Sequence, residues 1–485
     1  MHRKIYKLKN RQIINLILPL KRGEIKTMEK NNILRVALSL TLILSVWSAN
    51  VANAQNWPIV QTKFTADPAP MAYGDTVYLY TSHDEDYADG FSMHNWLLYT
   101  STDMANWTDH GEVASLKSFK WFPRDNGAWA PHAIARNGKF YLYCPLHGNG
   151  IGVLVADTPY GPFKDPLDKP LVWQREHWED IDPGVFIDDD GQAYLYWGNP
   201  NVYWVRLNED MISYSGEIHK LDYKIKEYQE APWPYKHNGH YYLAFASTCC
   251  PEGIGYAMSD TPTGPWEWKG HVMDHTPRTN GNHPGIIEFK GQNYVFGFCY
   301  EIMKLTESKH HERRSVCVSR LEYNEDGTIK TLPYWMDQQP IQQLHWLNPS
   351  NRVEAETISW GYGLKTEPME DGKGMYVTNV DEGEYIKVRG VDFSKGAKTF
   401  RASTAAEKAG GMIEVRVGSA TGPLLGLLTI KSTGSMSKFK TSKCSLASVK
   451  HIEGSLDESK QVFDLYLKFH CTQESTFNFD WWSID

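Results

Sequence analysis

The 485 residues carry a formal net charge of −8 that is spread along the chain, which excludes a nucleic-acid surface and a basic membrane-docking face. A single long apolar run excludes a protein of several membrane spans, and the length exceeds one ordinary hydrophobic core. Aromatic residues make up 13% of the chain, enough to raise stacking on sugar rings as a function, although β-rich cores also consume Tyr and Trp.

The apolar run is the first element. A charged stretch, Met28 to Arg35, precedes Val36–Trp47 and then Ala52-Asn-Ala54, the pattern of a secretory signal cleaved after Ala54. Residues 1–54 are therefore expected to be an upstream extension and signal peptide, and the product to be exported, periplasmic or extracellular. Residues 1–27 precede Met28, the expected start, and no cysteine immediately follows the cleavage site, so a lipid-anchored export signal is not expected.

From residue 55 to 335 one phrase recurs: a residue pair ending in proline, an apolar run, a glycine turn, and an aromatic strand. Asp67-Pro68 leads to Gly74 and Tyr78-Leu-Tyr80, and Trp129-Ala-Pro131-His132 leads to Gly138 and Tyr141-Leu-Tyr143. Asp182-Pro183 leads to Asp190-Gly191 and Tyr194-Leu-Tyr196, Glu230-Ala-Pro232 to Gly239 and Tyr242, and His283-Pro284 to Gly291 and Tyr294. A period of roughly fifty residues with glycine-turned hairpins predicts a five-bladed β-propeller, with Trp107, Phe163 and Trp266 as plugs between blades. The run Asp188-Asp-Asp190 sits at a hairpin tip and reads as solvated turn chemistry.

Residues 336–351 read as a linker. From 352 to 485 short alternating stretches, such as Tyr385–Val388, Ile413–Val417 and Phe463–Leu467, predict a β-sandwich (jelly-roll). The expected class is all-β throughout. The seven cysteines lack CxxC spacing; buried thiols are one reading, and Cys444 with Cys471 is the disulfide to test.

In a ring of repeats the first strands converge on the axis, so Asp67, Trp129/His132, Asp182, Glu230 and His283 should share one funnel. Burying three acids together is costly unless chemistry uses them. Two carboxylates about 6.5–9.5 Å apart suit inverting glycoside hydrolysis. Asp67 would be the general base and Glu230 the general acid, with the charge of adjacent Asp182 raising the pKa of Glu230.

Ala-Asp67-Pro, Ile-Asp182-Pro and Glu230-Ala-Pro, together with Trp129-Ala-Pro131, resemble glycoside hydrolase family 43 over residues from about 57 to 335. The resemblance implies inverting exo-type hydrolysis as an α-L-arabinofuranosidase or β-xylosidase on plant cell-wall arabinoxylan or its oligosaccharides. It implies Asp67 as base, Asp182 as pKa modulator, Glu230 as acid, and Trp129, His132 and Arg314 at the sugar. Asn282-His283 resembles the family's axial histidine, where His283 would lie near a calcium ion or water.

Residues 352–485 resemble a family 6 carbohydrate-binding module, with Glu354, Glu356 and Asp480 matching its structural calcium ligands. Calcium would be structural, not part of the chemistry. Trp360 and Tyr362 are the candidates to stack on sugar and Asn478 to hydrogen-bond it. A monomer with no nucleic-acid partner and no membrane span is expected. The invertase-like propellers are excluded at all three acids, since Ala66-Asp67-Pro68-Ala69, Ile181-Asp182 and Glu230-Ala231 depart from their signatures. A non-catalytic glycan-binding propeller is the alternative.

Overall fold

The computed structural model describes residues 58–87, 90–175, 178–278, 281–305, 312–457 and 459–485. The expected signal, residues 1–54, lies outside them. The described chain is built almost entirely of antiparallel strands.

The N-terminal part forms five sheets in chain order. Sheet one holds β1 (Phe64–Tyr73), β2 (Thr76–Asp84), β3 (Asn95–Ser101) and β4 (Trp107–Ser115). Sheet two holds β5 (His132–Arg136), β6 (Lys139–Pro145) and β7 (Ile151–Ala156). Sheet three holds β8 (Gly184–Ile187), β9 (Ala193–Trp197), β10 (Tyr203–Leu207) and β11 (Tyr214–Lys220). Sheet four holds β12 (Tyr228–His237), β13 (His240–Ser247), β14 (Gly253–Ser259) and β15 (Glu267–Met273). Sheet five holds β16 (Gly285–Phe289), β17 (Gln292–Cys299) and β18 (Ser315–Leu321).

The hairpins form where Asn-Gly supplies two consecutive left-handed residues, as at Asn137-Gly138 (φ 51° and 72°) and Asn238-Gly239 (φ 48° and 83°). The first strands touch in a closed circuit: β1 meets β5 and β16, β5 meets β8, β8 meets β12, and β12 meets β16. The approach is close enough to demand glycine. A Cβ on Gly184 would lie 2.1 Å from the Pro232 carbonyl oxygen, and one on Gly285 would lie 2.6 Å from that of Pro68. Aromatic edges fill the gaps between sheets, with Trp107 against Phe296 (6.0 Å), Tyr80 against Phe163 (6.1 Å) and Tyr196 against Trp266 (6.2 Å). Asp188 is bound in its turn by Tyr241 and Lys236 at 2.8 and 3.0 Å.

The C-terminal part packs two sheets around a separate core that includes Val388, Phe400, Phe469 and Trp482. One sheet runs Lys365–Pro368, Met375–Thr378, Asn478–Ile484, Thr399–Ala406 and Ser435–Ser445, with β19 (Val353–Glu354) beside Asn478–Ile484. The other runs Trp360–Tyr362, Tyr385–Asp392, Val462–His470, Met412–Val417 and Leu424–Thr429. Between β19 and these sheets, β20 (Thr357–Ile358) leaves the sandwich and pairs antiparallel with β4, giving sheet one a fifth strand.

Three expectations for this part need correction. Cys444 and Cys471 are separate thiols, Cys444 in one sheet and Cys471 just beyond a strand of the other; the disulfide joins Cys249 to Cys250 instead. Trp360 is buried, so its ring is not offered to a sugar. Asn478 is buried too, donating to the Met436 carbonyl and accepting from the Thr378 hydroxyl, both at 2.8 Å. The Tyr362 side chain lies outside the described residues.

Candidate active site

The heads of the repeats sit where strands are bent. Asp67 and Asp182 have φ of 50° and 55°, and Ala231, next to Glu230, has 59°, a left-handed conformation that non-glycine residues seldom hold. Strand register breaks between Ala66 and Ala69 and again between Glu230 and Trp233. Proline cannot donate to the ladder, so Asp67 and Glu230 stand at bulges, while Asp182 lies just ahead of β8 and its Pro183.

Asp67 is buried, and its two oxygens accept from Arg314 Nη1 at 2.7 Å and Ser82 Oγ at 2.5 Å. Arg314, also buried, is held by Asp84 through Nη2 at 2.8 Å and Nε at 3.0 Å, which fixes its plane. His283 Nδ1 lies 3.8 Å from Asp67 Oδ1. Glu230 accepts a hydrogen bond from the Asn199 side chain. Asp182 accepts one from the Ala231 backbone, the residue that follows Glu230.

The electrostatics follow from many acids around one guanidinium. Burial, and then the charge of Asp67, push Glu230 up to about 7, against the pull of Asn199 and Arg314. Burial, followed by the charges of Glu230 and Asp67, raises Asp182 well above the usual carboxylate range. A fourth carboxyl, Glu252, belongs to the cluster. It is buried, accepts from the Asn282 N–H at 2.5 Å, and is pushed up to about 10 by burial and by Glu230. Protons, not further cations, offset the crowding of charge here. His283 and His132 are driven down to about 4 and about 3, chiefly by burial, so both rings are neutral.

Of the residues singled out in the sequence, Asp67, Asp182, Glu230, His283 and Arg314 come together. His132 is buried against the Trp233 ring, 4.5 Å between centroids. Trp129 stands to one side with its ring 4.0 Å from that of His147. Trp129 and His147 line a cavity of about 730 Å³ with Phe91, Phe122, Arg124 and Asn126. Phe91 links it to the acids, since the Arg314 guanidinium lies 5.3 Å from its ring centre.

Sequence reasoning missed Ser82, Asp84, Asn199 and Glu252 as partners of the acids. A signal existed for the first two, which are two apart on β2 and so share a face next to β1. Glu252 follows Cys249-Cys250-Pro251, a loop with no counterpart in the other repeats.

Two metal positions follow from the resemblances. At His283 the protein offers one imidazole and an Asp67 oxygen already engaged by Arg314. Calcium takes six to eight oxygens, so these residues fit it only as a largely hydrated ion. The second position fits better. Glu356 is buried and its Oε2 accepts no hydrogen bond among the described residues, while Arg352 spans Glu354 and Asp480 at 2.7 and 3.1 Å. Burial, and then the charges of Glu354, Asp109 and Asp480, push Glu356 well above its ordinary value, an arrangement that a hard cation would relieve.

Comparison with known proteins sets the site in context. The profile for glycosyl hydrolases family 43 matches residues 56–329, and that for the family 6 carbohydrate binding module matches residues 354–485. An arabinoxylan arabinofuranohydrolase of Paenibacillus polymyxa is 35% identical, over 89% of this chain and 76% of that protein. One from Bacillus subtilis (strain 168) is 31% identical, over 88% of this chain and 92% of its own. A crystal structure of a family 43 arabinoxylan arabinofuranohydrolase from Bacillus subtilis, in complex with cellotetraose, superposes with a TM-score of 0.77 at 30% identity. It covers 89% of this chain and 97% of that one.

Proposed function

Since the chain belongs to glycosyl hydrolase family 43 and carries a family 6 carbohydrate-binding module, we propose that it is an exported, inverting, exo-acting enzyme that removes arabinofuranosyl or xylosyl units from arabinoxylan. That it is a glycoside hydrolase of the arabinofuranosidase/xylosidase kind follows from the family and from the arabinoxylan-acting relatives. On this reading the five sheets are the blades of a five-bladed propeller, and the protein works as a monomer.

The observation that carries the mechanism is the pairing of Asp67 with Arg314 beside a Glu230 that holds its proton to about pH 7. Asp67 has lone pairs left after its bonds to Arg314 and Ser82, and a water can donate to one of them. That water attacks the anomeric carbon, its proton passes to Asp67, and the glycosidic C–O bond breaks. Glu230 gives its proton to the departing oxygen. Asp182 keeps its own proton beside Glu230, so the charge that raises Glu230 after burial is that of Asp67 and not, as expected from the sequence, that of Asp182. Trp129 and Phe91 form apolar walls for the glycan. Bound calcium would brace the sandwich through Glu354, Glu356 and Asp480 and take no part in the reaction.

Turnover of nitrophenyl α-L-arabinofuranoside, nitrophenyl β-D-xyloside and arabinoxylan, with the first-formed anomer followed by NMR, tests this. The expected product is inverted, and Glu230→Gln loses about 10²–10⁴-fold in kcat while sugar affinity persists. A retained anomer would remove Asp67 from its role as base, and binding without turnover would leave a glycan-binding protein.

A further inference from the structure

Outside the acid cluster, the end of β15 and the segment after it bring His271, Asp274 and His275 together. One donor atom from each of the three residues lies within 4.8 Å of the others. His271 Nδ1 and His275 Nδ1 stand 3.7 and 3.0 Å from the same oxygen, Asp274 Oδ1. Ligands about 2.0–2.2 Å from a tetrahedral ion are separated by roughly 3.3–3.6 Å, so small side-chain rotations would close the set.

A second observation orients it. His271 Nε2 lies 2.9 Å from Glu227 Oε2, and a carboxylate can only accept. The ring proton is therefore on Nε2, and in the neutral ring the Nδ1 lone pair faces Asp274. A carboxylate behind a ligating histidine is the usual outer partner of a bound metal, fixing ring and tautomer. Asp274 and His275 are exposed, which leaves an entry path and room for a water as fourth ligand.

We propose that His271, Asp274 and His275 bind a divalent transition-metal ion of the zinc or copper type. Two imidazoles and one carboxylate suit these ions and not calcium or magnesium, which prefer all-oxygen shells. A Cβ on Gly253 would lie 2.8 Å from the His275 backbone nitrogen, so this segment packs directly against the residue after Glu252. An ion here braces the loop that carries Glu252 into the acid cluster, without touching the reacting atoms.

The test uses the full chain, freed of metal with a chelator and then held in excess calcium to saturate oxygen-rich sites. Zinc is titrated by calorimetry, and copper binding is followed by electron paramagnetic resonance. One equivalent of zinc is expected, with coupling from two imidazole nitrogens in the copper spectrum. His275→Ala should abolish that equivalent, and Glu227→Gln should weaken it by about 10–100-fold. If His271→Ala does not fold, the exposed His275 carries the test alone. Equal zinc binding in wild type and His275→Ala, no zinc binding in the wild type, or a copper spectrum without two nitrogens would each overturn the proposal.

Discussion

Glu230 keeps its proton to about pH 7 because burial penalises its charge and Asp67 repels it, while the Asn199 side chain pulls the other way by bonding the charged form. The sign of a variant follows. Asn199→Ala removes a bond that favours the carboxylate, so the pKa of Glu230 rises and the alkaline limb of the kcat profile moves above pH 7. A pH series on a nitrophenyl glycoside checks this, and a limb that stays put or moves down refutes it. The acids at the repeat heads were legible because each stands before or near a proline at the same point of a recurring phrase. Glu252 was not, since the sequence around it has no period and only the fold carries it to Glu230. The charge that lifts Glu230 after burial also belongs to Asp67, a residue two sheets away around the circuit.

The first strands stand too close for side chains at two points, and Gly184 is the tighter. A Cβ there meets a carbonyl oxygen at 2.1 Å, and backbone cannot swing aside as a flexible side chain can. Gly184→Ala is expected to lower stability by about 1–3 kcal/mol, read from chemical denaturation. The seam between β4 and β20 offers a second prediction. Asp109 is buried on β4, with Lys63 Nζ at 2.8 Å and the Thr366 hydroxyl at 2.5 Å. Burial raises its carboxyl, yet Lys63, Thr366 and the Gly111 N–H together hold it below its ordinary value. Its contribution is thus present above about pH 4 and fades as pH falls through the lowered native value. Lys63→Met should cost about 3–5 kcal/mol at neutral pH by leaving a buried charge unpaired, and should flatten the loss of stability in acid. Chemical denaturation at pH 7 and pH 3 measures both. Hairpins such as Asn137-Gly138 were readable because turn chemistry is local, whereas the pairing of Thr357–Ile358 with Trp107 and Thr108 of β4 was not, since two residues carry no strand signal of their own.

At the scale of the whole molecule, Glu356 and its neighbours Glu354, Asp480 and Asp109 lie where the sandwich meets sheet one, so an ion there ties the two parts together. Calcium at a hundredfold its Kd should add about 2.7 kcal/mol, seen as a rise in Tm that a chelator reverses and Glu356→Gln removes. A Tm indifferent to calcium would count against the site. The sequence by itself determined the all-β class, the catalytic and carbohydrate-binding families, and a set of acids worth examining, because strand period, turn residues and short acid–proline motifs act over a few neighbouring residues. Only the tertiary structure decided that Arg314 clamps Asp67, that Glu252 joins the cluster, and that Lys63 reaches Thr366, 303 residues further along. Those contacts depend on distances through space, which no local pattern encodes.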